Sequence, residues 1–238
     1  MTWMDHALVL AFAVVMPVWS CLTYRTYKER VRAGVPGARL AAYAEGMIQE
    51  WLLVAAVTAL WIHQDRDWAR IGLAAPDSSA GALALAVAAL VGALLLLQSA
   101  IVARRPETHE RVRAAMRSSI EAVPVQRSDL TGFFALSITA GVCEEILFRG
   151  VLPWYLAGYL GEWGAQAAAV VVFGAAHLFL GAGGAVRALL TGAVLAALYL
   201  WSGSLVPSIV LHALVDISSG WMAYEVLRER TVEATAPA

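Results

Sequence analysis

Charged side chains are absent from residues 7–24 and again from residues 78–103. Each block is close to the roughly 20 apolar residues a helix needs to cross a bilayer core about 30 Å thick. Elsewhere, too, apolar residues come in long runs rather than short alternating stretches, so the pattern favours spanning helices over half-buried strands. It predicts helices over 7–24, 41–62, 79–102, 132–159, 163–180, 185–201 and 204–224. The expected fold is an all-α polytopic transmembrane helix bundle of about seven spans, between six and eight. Three spans fall in an N-terminal part, 1–130, four in a core, 131–224, and a tail follows over 225–238, with Thr231–Ala238 reading as frayed. The first block does not read as a cleavable signal peptide, because its apolar run is too long and Asp5 stands where basic residues are expected.

Composition agrees. Of 238 residues, 60% are hydrophobic and 15% charged, and the mean hydropathy is +0.67, which leaves too little polar surface to cover a soluble core. With a net charge of −1, no basic stripe interleaved with aromatics and no phosphate-binding glycine loop, nothing points to nucleic acid or a nucleotide. Cys21 and Cys143 both lie in apolar segments and suggest neither a disulfide framework nor a CxxC site. Loop charges set an orientation. Arg25, Lys28, Arg30, Arg32 and Arg39 crowd residues 25–39, and six arginines crowd 104–127, whereas 63–78 offers only Arg66 and Arg70 against three aspartates. Basic loops stay cytoplasmic, which puts the N-terminus outside and, after seven crossings, the C-terminus inside. The 104–127 stretch has room for an amphipathic helix on the inner leaflet. Trp3, Trp51, Trp61, Trp154, Trp163, Trp201 and Trp221 fall mostly near span ends, as an interfacial belt would place them.

Ionisable residues inside spans are costly and so carry a functional expectation. In the second half they are Glu144, Glu145, Arg149, His177, His212 and Asp216. Glu145 and Arg149, Phe173 and His177, and His212 and Asp216 are each four apart, which puts each pair on one helix face. Small residues beside them, such as Ala140, Gly141, Gly174 and Ala213, allow close helix approach. For Glu144 to meet the histidines, its helix must run on past Arg149 and Pro153 to about Leu160, which puts the cluster in the cytoplasmic half. Two histidines and a carboxylate in a partly dry cavity can activate a water, and a second histidine opposite can stabilise an oxyanion. Arg149 would hold Glu145 ionised and in place. Glu45 and Glu50, on the second span, either snorkel to the cytoplasmic interface or line the cavity.

Glu144-Glu145-Ile146-Leu147-Phe148-Arg149 reads EExxxR, Phe173–His177 reads FxxxH and His212–Asp216 reads HxxxD. In this order, inside apolar spans, they resemble the CaaX protease and bacteriocin-processing (CPBP) family of intramembrane endopeptidases, which includes the type II CaaX prenyl endopeptidases. The resemblance covers about residues 130–220. It implies an intramembrane peptidase in a bacterial inner (plasma) membrane, acting on a membrane-anchored protein or peptide such as a prenylated CaaX-like or sorting-tail protein. It implies that Glu144 activates the water with help from His177, that His212 and residue 216 form the oxyanion side, and that Glu145, Arg149 and Phe173 support them. Position 216 is Asp where CaaX-cleaving members typically have Asn. An ionised Asp cannot donate to an oxyanion, so Asp216 is protonated, orients His212 or binds a metal. No cofactor is required by a glutamic-type mechanism, but Glu144, His177 and His212, with Asp216, form a candidate Zn²⁺ set, although there is no HExxH. Cys143 reads as a small buried residue or, more sharply, as the nucleophile of a thiol-dependent processing or sorting enzyme. The competing functions are a non-catalytic membrane scaffold or immunity protein of the same fold, and a small transporter with a proton relay, against which stands the lack of repeat symmetry.

Overall fold

The computed structural model describes residues 1–76 and 78–235, with side chains as far as Arg228. Six helical segments are long and apolar enough to cross a membrane. They are α1 (Trp3–Arg32), α2 (Ala38–His63), α3 (Ser79–Ala103), a segment Arg127–Ala176, α7 (Ala182–Ser202) and α8, whose apolar part is Val206–Arg228. A shorter helix, α4 (Pro106–Met116), follows α3 where an amphipathic interfacial helix was expected. No strand is present among the described residues.

The segment Arg127–Ala176 is not one straight rod. Gly161 has φ 69 and ψ 171, a conformation open to glycine and strained for other residues. In a straight helix, Arg149 and Phe173 would stand about 36 Å apart. Instead the Arg149 guanidinium lies 4.0 Å from the centre of the Phe173 ring. The chain therefore reverses at Gly161, giving α5 (127–160) and α6 (162–176), so six segments make seven passes. As expected, α5 runs through Pro153 without ending. The turn before the proline widens into a π-helical turn over Ile146–Val151, and the same arrangement, Ala11–Val15, precedes Pro17 in α1. A wide turn lets a helix pass a residue that has no N–H to give to the regular ladder. The two turns pack together, with Phe12 edge-on to Phe148 at 5.6 Å.

Two elements end differently from the sequence reading. The span expected over 163–180 stops at Ala176, because Leu178–Leu180 tightens into a 3₁₀ turn before Gly181. The last helix does not end at 224 with a tail from 225, nor is Thr231–Ala238 frayed from its start, because the helix continues through Thr235. Residues 236–238 lie outside the described residues.

Close helix contacts order the bundle. α2 and α5 run parallel, with Tyr43 against Phe133 at 5.6 Å and Trp51 Nε1 donating to Thr139 Oγ1 at 3.4 Å. α8 crosses α5 where Gly141 meets Ala213, an added Cβ there lying 3.0 Å from its side chain. At the end of the bundle away from the basic loops, Arg66 makes a two-bond ion pair with buried Asp5 at 2.7 and 2.8 Å. Its guanidinium lies between the rings of Trp61 and Trp154, 5.0 and 4.7 Å from their centres. Trp61 is thus a core residue, not a member of an interfacial belt.

Candidate active site

Three helices bring the sequence-singled residues together. Glu145 on α5 is fully buried, and its Oε1 accepts from Arg149 Nη1 at 2.9 Å and from His212 Nδ1 on α8 at 2.7 Å. A carboxylate can only accept, so His212 Nδ1 carries the hydrogen. That leaves Nε2, which lies 3.7 Å from Glu144 Oε2 and 3.8 Å from Asp216 Oδ2. His177 is set in the same way. Its Nδ1 donates to the Phe173 carbonyl at 2.9 Å, so its Nε2 is also left to the cavity. Both rings are held in the tautomer that presents Nε2.

Phe173 is the packing centre of the site. Its ring lies under the Arg149 guanidinium, 4.7 Å from the His177 ring and 6.0 Å, edge-on, from the His212 ring. Gly192 on α7 makes room for this stack, since a Cβ there would lie 2.9 Å from both Arg149 Nη2 and Phe173 Cδ1.

A cavity of about 860 Å³ opens in front of the cluster, and Glu144, His177 and Asp216 line it. It extends toward the basic-loop side, where Arg30, Ser119 and Ala122 also line it. A strap of chain after α4 covers that end. Arg32 pairs with Glu121 at 2.6 Å, Arg39 Nε donates to the Glu121 carbonyl at 3.1 Å, and the Tyr43 hydroxyl donates to the Ala122 carbonyl at 2.9 Å. Leu214, two residues from His212, packs on Gly92 in the middle of α3, so the His212 end of the cluster lies level with the mid-length of that helix. About 25 Å of α5 separates Arg127 from Glu144.

Cys143 does not join the cluster. It is fully buried, packs in an apolar cluster with Ile146, Leu147 and Val54, and is not among the residues lining the cavity. One residue from Glu144, it points about 100° around the helix. Among the described residues no group of three His, Cys, Asp or Glu side chains is gathered so as to hold a metal ion.

Glu45 and Glu50 both line the cavity, as does Gln49 between them, which the sequence reading left out. The signal was available, since polar residues at 45, 49 and 50 share one face of a spanning helix.

A family model described as Rce1-like, Type II CAAX prenyl endopeptidase Rce1-like, matches residues 126–218. No curated protein and no solved structure matches the chain. The matched segment holds Glu144, Glu145, Arg149, Phe173, His177, His212 and Asp216, while α1 and α2, which supply the opposite cavity wall, lie before it.

Proposed function

We propose, from the match of residues 126–218 to the family model described as Rce1-like, Type II CAAX prenyl endopeptidase Rce1-like, that this protein is an intramembrane endopeptidase that cleaves a membrane-anchored protein or peptide by an activated water. The observation that carries this reading is the relay Arg149–Glu145–His212, with bonds of 2.9 and 2.7 Å, which fixes one nitrogen of His212 and turns the other toward Glu144, a residue of the cavity wall. A buried scaffold contact would use up its polar groups, whereas this one leaves His212 Nε2 beside Glu144 and Asp216, which line the cavity with His177.

Glu144 takes a proton from a water in the cavity, with His177 Nε2 as its second acceptor. The water attacks the scissile carbonyl, and the resulting oxyanion lies on the α8 side. There His212 Nε2, when it carries a proton, is the donor, in a site that excludes bulk water. Asp216, 3.8 Å from that nitrogen, orients the ring and balances its charge. Glu144 then returns the proton to the leaving amine. Glu145 and Arg149 touch no substrate. They keep the His212 ring in the productive tautomer and orientation. The steps as written need no metal, since Glu144 and His177 supply the base. The charge of the basic loops supports a cavity mouth on the cytoplasmic face.

The test is Glu144→Ala, produced at wild-type level in the host membrane. The expected result is accumulation of an unprocessed membrane-anchored protein. Normal processing of every such protein by a folded variant overturns the reading in favour of a non-catalytic membrane protein.

A further inference from the structure

Half of the cavity wall comes from helices outside the family match. On α2, Ala42, Glu45, Gly46, Gln49 and Glu50 all line it, in the three- and four-residue spacing of one helix face. A polar stripe near the middle of a spanning helix is costly unless it is used. Glu50 is its deepest member. The Glu50 Oε2 atom is buried, with no hydrogen-bond partner among the described residues. It therefore fastens α2 to nothing, and the neighbouring Trp51–Thr139 bond does that work. The charged residues around the cavity are unbalanced as well. Glu45, Glu50, Glu144 and Asp216 line it against Arg30 and His177. Arg30 stands near the end of α1, so the interior around the reacting carbonyl is acidic.

We propose that Glu50 is a specificity-determining residue that receives a basic side chain of the substrate next to the scissile bond. The assignment rests on the endopeptidase reading above. The free oxygen of Glu50 supplies the acceptor a lysine or arginine needs. The carboxylates around it stabilise a cation in a poorly screened space and repel an acidic side chain by a similar amount. An apolar side chain gains nothing at this position and leaves the oxygen unpaired.

The experiment uses the full chain in neutral-lipid vesicles and lipid-anchored peptides randomised next to the anchor, with products read by mass spectrometry. Wild type is expected to enrich Lys and Arg over Asp and Glu by about tenfold or more at one position beside the cut, and Glu50→Gln to bring that ratio to about one. Glu50→Asp, which keeps the carboxyl group, is expected to retain part of the preference, and it carries the test if the glutamine variant does not fold. Cleavage without basic enrichment, or the same enrichment in Glu50→Gln, overturns the role of Glu50 and leaves the endopeptidase reading standing. No cleavage of any peptide by wild type overturns that reading and this assignment with it.

Discussion

Two buried ion pairs in this bundle are built differently. Asp5–Arg66 is closed. Both carboxylate oxygens meet guanidinium nitrogens, the Thr2 backbone N–H donates to the same carboxylate at 2.6 Å, and two tryptophans cover the cation. Glu145–Arg149 is open. The carboxylate passes its second contact to His212, while Glu145 Oε2 and Arg149 Nη2 are buried without hydrogen bonds. The first pair ties the start of α1 to α2 and α5. The second trades full satisfaction for control of a histidine at a cavity wall. Burial of a charge in a membrane protein therefore does not by itself mark a catalytic site, and what distinguishes the two is where the remaining polar atom points.

Breaking either pair sharpens the contrast. Arg149→Ala leaves Glu145 buried and uncompensated, and is expected to lower stability by about 3–5 kcal/mol. Thermal unfolding of the purified protein reads that loss, and a cleavage assay should show that whatever remains folded has lost activity as well. Arg66→Ala is expected to remove about 3 kcal/mol yet leave the activity of each folded molecule within about twofold of wild type, since nothing in that cluster reaches the cavity. An activity loss as deep as that of Arg149→Ala would erase the distinction. Gly192→Ala presses a methyl group against Arg149 and Phe173. It is expected to cost about 1–3 kcal/mol and to lower kcat more than it changes KM, as a displaced His212 support would. The smallest effect is expected for Cys143→Ser. A hydroxyl in that apolar cluster costs about 1 kcal/mol, and the cleavage rate should stay near wild type, whereas abolished cleavage in a folded variant would revive the thiol mechanism.

The open pair was legible in the sequence and the closed one was not. Glu144, Glu145, Arg149, His177 and His212 stand out because each interrupts an apolar run, and their four-residue spacings lie within single helices. The passage of α5 through Pro153 followed from requiring Glu144 to meet the histidines. Asp5 and Arg66, by contrast, sit at the ends of spans where charges are ordinary, and their partnership joins residues 61 positions apart. Trp61 and Trp154 look like belt residues for the same reason, since only the reversal and tilt of the helices bring them to Arg66. The reversal at Gly161 showed as a gap between predicted spans, but the π-helical turns before Pro17 and Pro153 leave no periodic trace. Glu50 was visible as an acid in a span, yet its role depends on which face α2 turns to the cavity.

The central claim, that Glu144 activates the water beside a histidine held by the open pair, is tested most directly by one pair of rates. Wild type and Glu144→Gln, purified and placed in the same vesicles, would be given the same anchored peptide mixture and followed over time. The account predicts cleavage by wild type and a loss of about a thousandfold in Glu144→Gln, with thermal unfolding unchanged because Glu144 lies outside the Glu145–Arg149 pair. A folded Glu144→Gln protein that cleaves within about tenfold of wild type would contradict it.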